Sequence, residues 1–550
     1  MPVTLKNILL AIFGGLLCWA AWPTSWLFPL IFVAWIPILL IEDSFSEKEI
    51  PKSARKLFGY AFIFFIVWNI STTWWVKNAS FGGSIAAFIL NSLFMCIPFI
   101  LFHKTKKRFG AAIGYFALVS LWLTYEYAHQ NWELTWPWLV LGNVFANFPQ
   151  LVQWYEFTGS SGGTLWVLCL NILLFLQLKK LRANSLEVNG LPDILKIYFG
   201  FSWKPLLLFT LPIVVSLILF KSYEEQGEAV EIVVLQPNID AYEKFERSKQ
   251  KEYINKFVAM SDSLISDKTE FLVWPETSLP NTVWLNKLES NPSIKKCREL
   301  LAKHPDLTLI TGATIIEQYD SKATATARPF RNDPERFYDV YNGAMELNGE
   351  NLEIEQYIKS KLVPGVERMP YPGLFKFLGD YAIDLGGTAG SLGMQNEREV
   401  FTDDEGIKVA PVICYESVFA EYVTDYIKLG ADFIFIITND DWWGDTPGHR
   451  QHLRYASLRA IENRRAIARS ANTGISAFID QRGIIHQATT YKNPAVIKQK
   501  IKANKTLTFF SRHGDIISRL SIFCSVLLIL NLMVGRFTKG FMFASIKRKS

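Results

Sequence analysis

Three residues with reactive side chains lie next to short apolar runs of the kind that form buried strands. Cys414 and Glu276 each follow such a run directly, and Lys359 lies within one. A thiol attacks a carbonyl carbon only as the thiolate, so it needs a base or a positive charge beside it. Glu276 could accept the proton, and Lys359 could stabilise the charge that develops on the carbonyl oxygen. These residue types together predict acyl transfer through a thioester.

Taken singly, each of these residues has an ordinary structural explanation. A cysteine at the end of a buried strand often only packs, a glutamate after Trp-Pro caps a helix or forms a salt bridge, and a lysine at a strand edge is usually solvated. No Gly-x-Ser-x-Gly elbow suggests a serine nucleophile instead. Their joint occurrence in three similar strand contexts favours catalysis.

The composition predicts a membrane protein. The chain has 550 residues, of which 50% are hydrophobic, and a mean hydropathy of +0.15, which is too long and too apolar for one soluble domain. Apolar runs approach the roughly 20 residues that a helix needs to cross a bilayer. We place about eight spans, near 7–22, 25–41, 58–76, 82–102, 109–127, 161–178, 205–220 and 516–535.

Lysine and arginine cluster on alternate sides of these spans, after the second, fourth and sixth and in the C-terminal tail. Because positive residues are enriched in cytoplasmic loops, both termini are predicted to be cytoplasmic and the segment 223–512 to lie on the other side. The net charge of +6 is thus explained by topology, and nucleic-acid binding is not expected. The N-terminal run continues into a second one, so it predicts a retained anchor and not a cleaved signal peptide.

The segment 223–512 alternates short apolar runs with helix-like stretches, which predicts an α/β layered domain. The chain therefore divides into a membrane domain (1–222), a catalytic domain (223–512) and a final span with a basic tail (513–550). Residues 320–336 are predicted to form a loop, and the Gly/Pro-rich stretch 364–397 a longer loop of the lid or binding type. The predicted strands are about 230–235, 270–274, 307–311, 408–413 and 432–437, and the predicted helices about 242–266, 292–303, 417–429 and 448–464.

Other residues of the catalytic segment could carry different chemistry. Cys297 is its one other cysteine, and we expect both thiols to stay reduced because a disulfide would block the nucleophile. His449 and His452 are three residues apart on a predicted helix and could share a metal, but no further ligands follow at matching spacing. Packing or capping is the simpler prediction for both. The same helix carries arginines for which we expect a solvated face with ion pairs, or contacts with lipid phosphates: Arg454, Arg459, Arg464 and Arg465.

Four sequence blocks resemble the signature blocks of the nitrilase superfamily. They are Trp274-Pro275-Glu276-Thr277, the segment 359–364, Cys414-Tyr415-Glu416 and Asn439-Asp440-Asp441-Trp442-Trp443-Gly444. With eight spans around them, the combination resembles the apolipoprotein N-acyltransferase family of the bacterial inner membrane. The resemblance implies an extracytoplasmic nitrilase-like domain with α-β-β-α layers, on the periplasmic side of a multi-pass membrane domain.

The same resemblance implies residue roles. Glu276 matches the general base, Lys359 the lysine that stabilises the oxyanion, and Cys414 the nucleophile. It implies transfer of an acyl chain from a phospholipid to the α-amino group of diacylglyceryl-cysteine in an apolipoprotein, without a metal or organic cofactor. The supporting positions that match are Glu367, Tyr415, Glu416, Trp442 and Asn342.

Two departures from the family pattern concern the surroundings of the site. Gly365-Val366 stands where the family usually has Phe-Gly before the glutamate, and Asp441 stands where it tends to have a small residue. We expect them to affect substrate preference and loop geometry more than the class of reaction.

Two other functions are compatible with parts of the sequence. One is a membrane-tethered amidase that hydrolyses a small amide with the same three residues. The other is a transport or binding protein, for which charges inside spans are expected, and Glu126 is the main candidate. An aromatic-rich loop could be a plain interfacial belt or the wall of a lipid entrance; it contains Trp132, Trp136, Trp138, Trp154 and Tyr155.

Overall fold

A computed structural model describes residues 3–23, 25–47, 52–185, 203–240, 243–349, 354–371 and 391–547. Within them, seven helices are long and apolar enough to cross a membrane. Six come before residue 223 and one near the C-terminus, as the spacing of the apolar runs predicts. The helices of the membrane part are α1 (Val3–Ala20), α2 (Ile36–Glu47), α3 (Ser53–Thr73), α4 (Phe81–Phe109), α5 (Ala111–Gln130), α6 (Tyr155–Ser185) and α7 (Trp203–Ser222), and the last helix of the chain is α13 (Ile516–Lys547).

The helix α5 occupies the position of the remaining predicted span, although it is not among the seven. It packs against α13, and Thr124 of α5 donates a hydrogen bond to Ser525 of α13 (Oγ1–Oγ 2.9 Å). Glu126 is buried and accepts hydrogen bonds from Trp122 (2.9 Å), from Thr164 of α6 (2.7 Å) and from the Leu141 N–H (2.9 Å). Because its oxygens are engaged in the fold, Glu126 serves structure here and gives no support to a transport path.

The two ends of the membrane domain differ in chemistry. At one end, ion pairs join neighbouring helices near their ends: Lys106 Nζ lies 2.6 Å from the buried Glu42, and the exposed Lys179 Nζ lies 2.9 Å from Asp43. At the other end, loops low in basic residues contact the catalytic domain. The indole N–H of Trp22, for example, donates to the hydroxyl of Tyr455 (2.9 Å). One end thus carries ion pairs between helices, and the other end contacts the catalytic domain.

The catalytic domain is built on two sheets. The strands are β1 (Glu228–Gln236), β2 (Thr269–Val273), β3 (Val283–Trp284), β4 (Thr308–Tyr319), β5 (Arg328–Phe330), β6 (Asp333–Leu347), β7 (Glu355–Ile358), β8 (Phe401–Thr402), β9 (Lys408–Ile413), β10 (Phe433–Thr438), β11 (Ile467–Ala471), β12 (Ala477–Ile479), β13 (Ile485–His486) and β14 (Ala495–Ala503). The first sheet has eight strands in the order β14-β1-β2-β4-β6-β5, with β3 on β4 and β7 on β6; the second has the order β13-β12-β11-β10-β9-β8. The inner strands β1, β2 and β4 are parallel, as are β9, β10 and β11.

Alternating side chains of the inner strands explain the layers. On β1, Ile232 and Val234 pack toward the second sheet, whereas Val233 between them packs toward the outer helices. Phe271 and Phe435 meet across the sheets with ring centroids 5.4 Å apart. The result is the predicted α-β-β-α arrangement. Its helices are α8 (Gln250–Asp262), α9 (Pro292–Leu301), α10 (Ala420–Lys428) and α11 (Pro447–Asn463), and the short α12 (Phe509–His513) leads to α13.

Two predictions about this domain are wrong. The stretch 320–336 is not a plain loop, because β5 and the start of β6 form an antiparallel hairpin there. The arginines of α11 and the residues after it do not form a solvated face: Arg459, Arg464 and Arg465 are at most 2% exposed. Arg464 reaches Glu156 of the membrane domain (2.7 Å), so burial at the junction between domains, which the local sequence does not reveal, accounts for the error. Of the long loop predicted over 364–397, residues 372–390 lie outside the described residues.

Candidate active site

Cys414 is the first residue after β9 and begins the 3-10 helix Cys414–Val418. Its φ of +49° is left-handed, a conformation that costs a residue with a Cβ roughly 1–2 kcal/mol. Its carbonyl oxygen accepts hydrogen bonds from Ser417 Oγ (2.7 Å) and His452 Nε2 (3.1 Å). These contacts hold the strained turn and fix the thiol at the end of the strand.

Glu276 lies three residues beyond β2, and both of its carboxylate oxygens are engaged. Oε1 accepts from Lys359 Nζ (3.1 Å) and from Asn342 Nδ2 (2.7 Å), and Oε2 accepts from the Asn439 N–H (3.0 Å). This residue is buried. The three donors orient the carboxylate before any substrate arrives.

Lys359 is the first residue after β7 and is 1% exposed. Its ammonium also lies 2.9 Å from Glu367 Oε1, so it is held between two carboxylates. Glu367 in turn accepts the Val363 N–H (2.8 Å), which closes the loop after Lys359 on itself. A buried ammonium needs such partners, because an unpaired buried charge is very costly.

These charges determine the resting protonation states. Burial and the Glu276 carboxylate raise the pKa of the Cys414 thiol above its usual range, and Lys359 acts against that rise. Burial also acts to raise the pKa of Glu276, but Lys359 and Asn342 hold it below its usual range. Burial acts to lower the pKa of Lys359, but Glu276 and Glu367 raise it and keep the ammonium protonated. The resting site therefore holds a neutral thiol, a carboxylate and an ammonium.

Glu416 connects the Cys414 turn with the Lys359 loop. It is fully buried, and its Oε2 accepts the Ile413 N–H (2.9 Å), while its Oε1 accepts the Ser360 N–H (2.8 Å) and the Tyr357 hydroxyl (2.7 Å). The carboxylate thus replaces backbone acceptors that the ends of β9 and β7 lack. It sets the spacing between nucleophile and ammonium.

The residues that flank the reactive groups also contact the membrane domain. The hydroxyl of Tyr415 donates to the carbonyl of Thr135 (3.0 Å). Trp443 packs on Trp75 and Trp138, with ring centroids 4.9 and 5.5 Å apart. Membrane-domain loops therefore form part of the surroundings of the site.

The structure brings most of the sequence-predicted site residues together. Glu276, Lys359, Glu367 and Asn342 form one hydrogen-bonded cluster, and the Cys414 thiol is close enough for its pKa to respond to two of them. Trp442 lies in the 3-10 helix Asp440–Trp443 after β10, half-buried. Two further predicted residues, Tyr415 and Glu416, lie on the same turn as Cys414.

A buried network behind Cys414 was missed from the sequence. Asp440 accepts hydrogen bonds from Thr438 Oγ1 (2.9 Å) and Arg469 Nη2 (2.6 Å), and His452 Nδ1 lies 3.0 Å from its Oδ1. Although burial acts to raise it, Arg469 and His452 hold the pKa of Asp440 below its usual range. His452 therefore positions the Cys414 carbonyl. The position of Asp440 just after a predicted strand could have marked it as a site residue. Nothing in the sequence around Arg469 indicates that it belongs to this network.

The alternative of a metal site at His449 and His452 receives no support. Among the described residues, no group of three or more metal-ligating side chains is found. His449 stacks on Tyr491 with centroids 4.5 Å apart, away from the Cys414 carbonyl. The predicted packing describes His449, whereas His452 contacts the Cys414 carbonyl, a role that the sequence did not indicate. Cys297 and Cys414 are both free thiols, as expected, and lie in separate hydrophobic clusters.

Comparison with known proteins extends these observations. The family model described as carbon-nitrogen hydrolase matches residues 232–506, which is half of the chain. The chain belongs to the carbon-nitrogen hydrolase family. The carbon-nitrogen hydrolase domain holds all the residues of the cluster described above. A second model, the apolipoprotein N-acyltransferase N-terminal domain, matches residues 14–173.

Relatives of this carbon-nitrogen hydrolase align with nearly its whole length. The apolipoprotein N-acyltransferase of Chlorobaculum tepidum is 28% identical over 93% of this chain and 94% of its own. That of Geobacter metallireducens is 24% identical over 93% of this chain and 92% of its own. Among solved structures, the nitrilase-superfamily protein Nit3 of Saccharomyces cerevisiae is 14% identical, with a TM-score of 0.36, and the match covers 53% of this chain and 97% of that one.

Proposed function

We propose that this membrane enzyme transfers an acyl chain from a phospholipid, through a thioester on Cys414, to the α-amino group of diacylglyceryl-cysteine at the N-terminus of an apolipoprotein. Both family models and the full-length relatives support this activity. The geometry supports it independently, because the Cys414 turn and the Lys359 loop both contact the membrane domain, through Tyr415 and Lys361. Glu276 lies 3.1 Å from Lys359 in the same cluster. A lipid ester and a lipidated amine are both found at such a boundary.

In the first half-reaction, Glu276 takes the proton of the Cys414 thiol as sulfur attacks the ester carbonyl carbon. The C–S bond forms and the carbonyl oxygen becomes an oxyanion, which the Lys359 ammonium stabilises. When the tetrahedral intermediate collapses, the C–O ester bond breaks. Glu276 returns the proton to the departing alcohol oxygen, and a lysophospholipid leaves.

In the second half-reaction, the neutral α-amine attacks the thioester carbon and forms the C–N bond. Glu276 takes the proton that the nitrogen loses, and Lys359 again stabilises the oxyanion. The C–S bond then breaks, and the sulfur recovers the proton from Glu276. One carboxylate therefore acts as base and acid in both halves, which is why its orientation by three donors matters.

The surroundings of the chain in the cell are part of the proposal. Apolar side chains of α7 are exposed along its length, among them Leu206, Leu211 and Ile218, as expected for a helix in lipid. The catalytic domain would lie on the periplasmic side of the bacterial inner membrane, with both termini in the cytoplasm, in accordance with the distribution of basic residues. The relevant partners would be the phospholipid donor, the apolipoprotein acceptor and the bilayer.

The observation that carries the proposal is the contact of the nucleophile's neighbour with a membrane loop, the hydrogen bond from Tyr415 to Thr135. Incubation of the purified protein with phospholipid labelled in its acyl chain should give a labelled enzyme, and hydroxylamine should release the label because it cleaves thioesters. Cys414→Ala should not label. The matched control is Cys297→Ala, which removes the one other thiol of this domain at a site buried in α9.

Equal labelling of Cys414→Ala and the wild type would refute the covalent intermediate. Hydrolysis of a small amide without any transfer to an N-terminal lipidated peptide would instead favour the tethered amidase. The comparisons do not support that alternative better than acyl transfer.

A further inference from the structure

We infer that a cavity between the two domains, beside the active site, binds the phosphodiester group of the acyl donor through Lys361 and Arg368. This inference rests on the proposed function, since it assigns the headgroup of the same donor. The cavity has a volume of about 100 Å³. Membrane-domain residues Trp132, Glu133 and Thr135 line one side of it, and catalytic-domain residues that include Lys361 and Arg368 line the other.

The cavity lies just beyond the end of an apolar helix, where a lipid headgroup would lie if that helix crosses the bilayer. Its membrane-domain wall begins directly after α5 ends at Gln130, where the chain leaves the apolar part of the fold. Lys361 Nζ donates to the carbonyl of that last helical residue (3.1 Å). Trp132 adds an indole, the side chain that favours the headgroup region. A phosphate at this level would still leave its acyl chains on the membrane side.

The cavity carries more positive than negative charge. Lys361 is half-buried over the ring of Phe419 at 5.0 Å, and burial together with Arg398 lowers its pKa to about 8. Arg368 faces Glu133 at 3.7 Å, longer than a hydrogen bond. A guanidinium has five N–H donors and can contact a carboxylate and a phosphate together. An incoming phosphodiester would thus meet two cations against one carboxylate.

The cavity is joined to the reactive residues through very short segments of chain. Lys361 is two residues beyond Lys359. Arg368 directly follows Glu367, whose carboxylate accepts a hydrogen bond from Lys359 Nζ (2.9 Å). On the other wall, the carbonyl of Thr135 accepts the hydroxyl of Tyr415, the neighbour of the nucleophile. A headgroup held in this cavity would place its glycerol ester near Cys414, whereas a free anion there would serve no step of the reaction.

The test compares two acyl donors that differ in the phosphate: a phospholipid, and a p-nitrophenyl acyl ester of the same chain length. The rate of acyl-enzyme formation is measured with each. For Lys361→Gln and for Arg368→Gln, the ratio of kcat/KM for phospholipid to kcat/KM for the ester should fall about tenfold, the low end for a hydrogen bond to a charged group. The matched control is Arg336→Gln, whose guanidinium pairs loosely with Asp333 (3.9 Å) outside the cavity and should leave the ratio unchanged.

Three outcomes would overturn the assignment. An unchanged ratio in both variants means that the cations do not recognise phosphate. A raised KM for the peptide acceptor with an unchanged donor ratio means that the cavity binds the acceptor. Inhibition of ester turnover by millimolar inorganic phosphate, lost in the variants while the donor ratio stays constant, means that it binds the free anion. Failure of the wild type to be acylated by any phospholipid would refute the proposed function itself. Acylation by the ester in the same preparation would show that the enzyme is active, so this result differs from a loss of headgroup recognition.

Discussion

The carboxylate of Glu416 accepts the backbone N–H of Ser360 at 2.8 Å, which links the turn of Cys414 with the loop of Lys359. The same side chain also accepts the N–H of Ile413, the residue before Cys414. Lys359 and Cys414, which are 55 positions apart in the chain, are thereby positioned by one buried anion. A neutral side chain of the same shape would offer fewer acceptor sites.

The first prediction concerns this link. Glu416→Gln should lower kcat for acyl transfer by about 10- to 100-fold, because loosening a constellation by about an ångström has effects of that order. The variant should still fold at reduced stability, since one buried carboxylate oxygen is replaced by an amide that must find other partners. Activity and thermal unfolding in the same detergent measure both effects. Glu405→Gln, at an exposed turn, is the control, and equal loss in both would contradict the positioning role.

The second prediction separates the two histidines of α11. His452→Gln should slow acylation of Cys414 about tenfold or more, because the strained Cys414 carbonyl loses the ring donor that lies 3.1 Å away. His449→Gln removes a ring that stacks on Tyr491 instead, and we expect near-normal acylation. Single-turnover labelling with an acyl ester gives the rates. Slower labelling in the His449 variant alone would refute the assignment.

The third prediction concerns the opposite effects of Lys359 and Glu276 on the pKa of the Cys414 thiol. Lys359 lowers and Glu276 raises the pKa of Cys414, so the two neutral substitutions should shift thiolate formation in opposite directions. Lys359→Met should slow alkylation of Cys414 by iodoacetamide at a fixed neutral pH, by about tenfold for each unit that the pKa rises. Glu276→Gln should speed alkylation, although it removes the base and should lower acyl transfer by about 10²–10⁴-fold.

The measurement for this prediction is the rate of mass increase at Cys414 over a range of pH. Lys303→Met, an exposed lysine that pairs with Asp262, is the control. If both active-site variants change the alkylation rate in the same direction, altered access to the thiol explains the effect better than charge.

The fourth prediction tests the contact between domains. Tyr415→Phe leaves the Thr135 carbonyl without the donor that lies 3.0 Å away, and a buried acceptor without a partner costs about 1–3 kcal/mol. The phospholipid reaction should therefore slow more than the reaction with a water-soluble ester. Tyr338→Phe, on β6, whose ring packs on Phe330 of β5, is the control. If Tyr415→Phe slows the reactions of both donors equally, the hydroxyl acts on acyl transfer at Cys414 and not on lipid access.

The strands that carry the reactive residues could be predicted from the sequence because fully buried parallel strands are short apolar runs. Cys414 and Glu276 follow such runs within one to three residues, and the structure places both at strand ends. The hairpin of β5 and β6 escaped prediction because Pro329 and Pro334 suggested a loop; proline is tolerated at strand edges and starts.

The network behind Cys414 could not be predicted from local patterns. Asp440, His452 and Arg469 come from a turn, a helix and a strand that are separated by 12 to 29 positions in the chain. Charged residues in such elements usually face water, and only the packing of α11 against the second sheet brings them inside. The buried Arg464 has the same explanation, because its partner Glu156 belongs to another domain.

The contacts of Trp22, Trp75 and Trp138 with the catalytic domain have a consequence for biosynthesis. All three tryptophans leave the ribosome before the first catalytic strand does. The surface on which Tyr455 and Trp443 come to rest is thus synthesised before these two residues are. The catalytic domain would then fold onto membrane-domain loops that are already made. A catalytic domain expressed alone would expose to water the aromatic side chains that these loops cover.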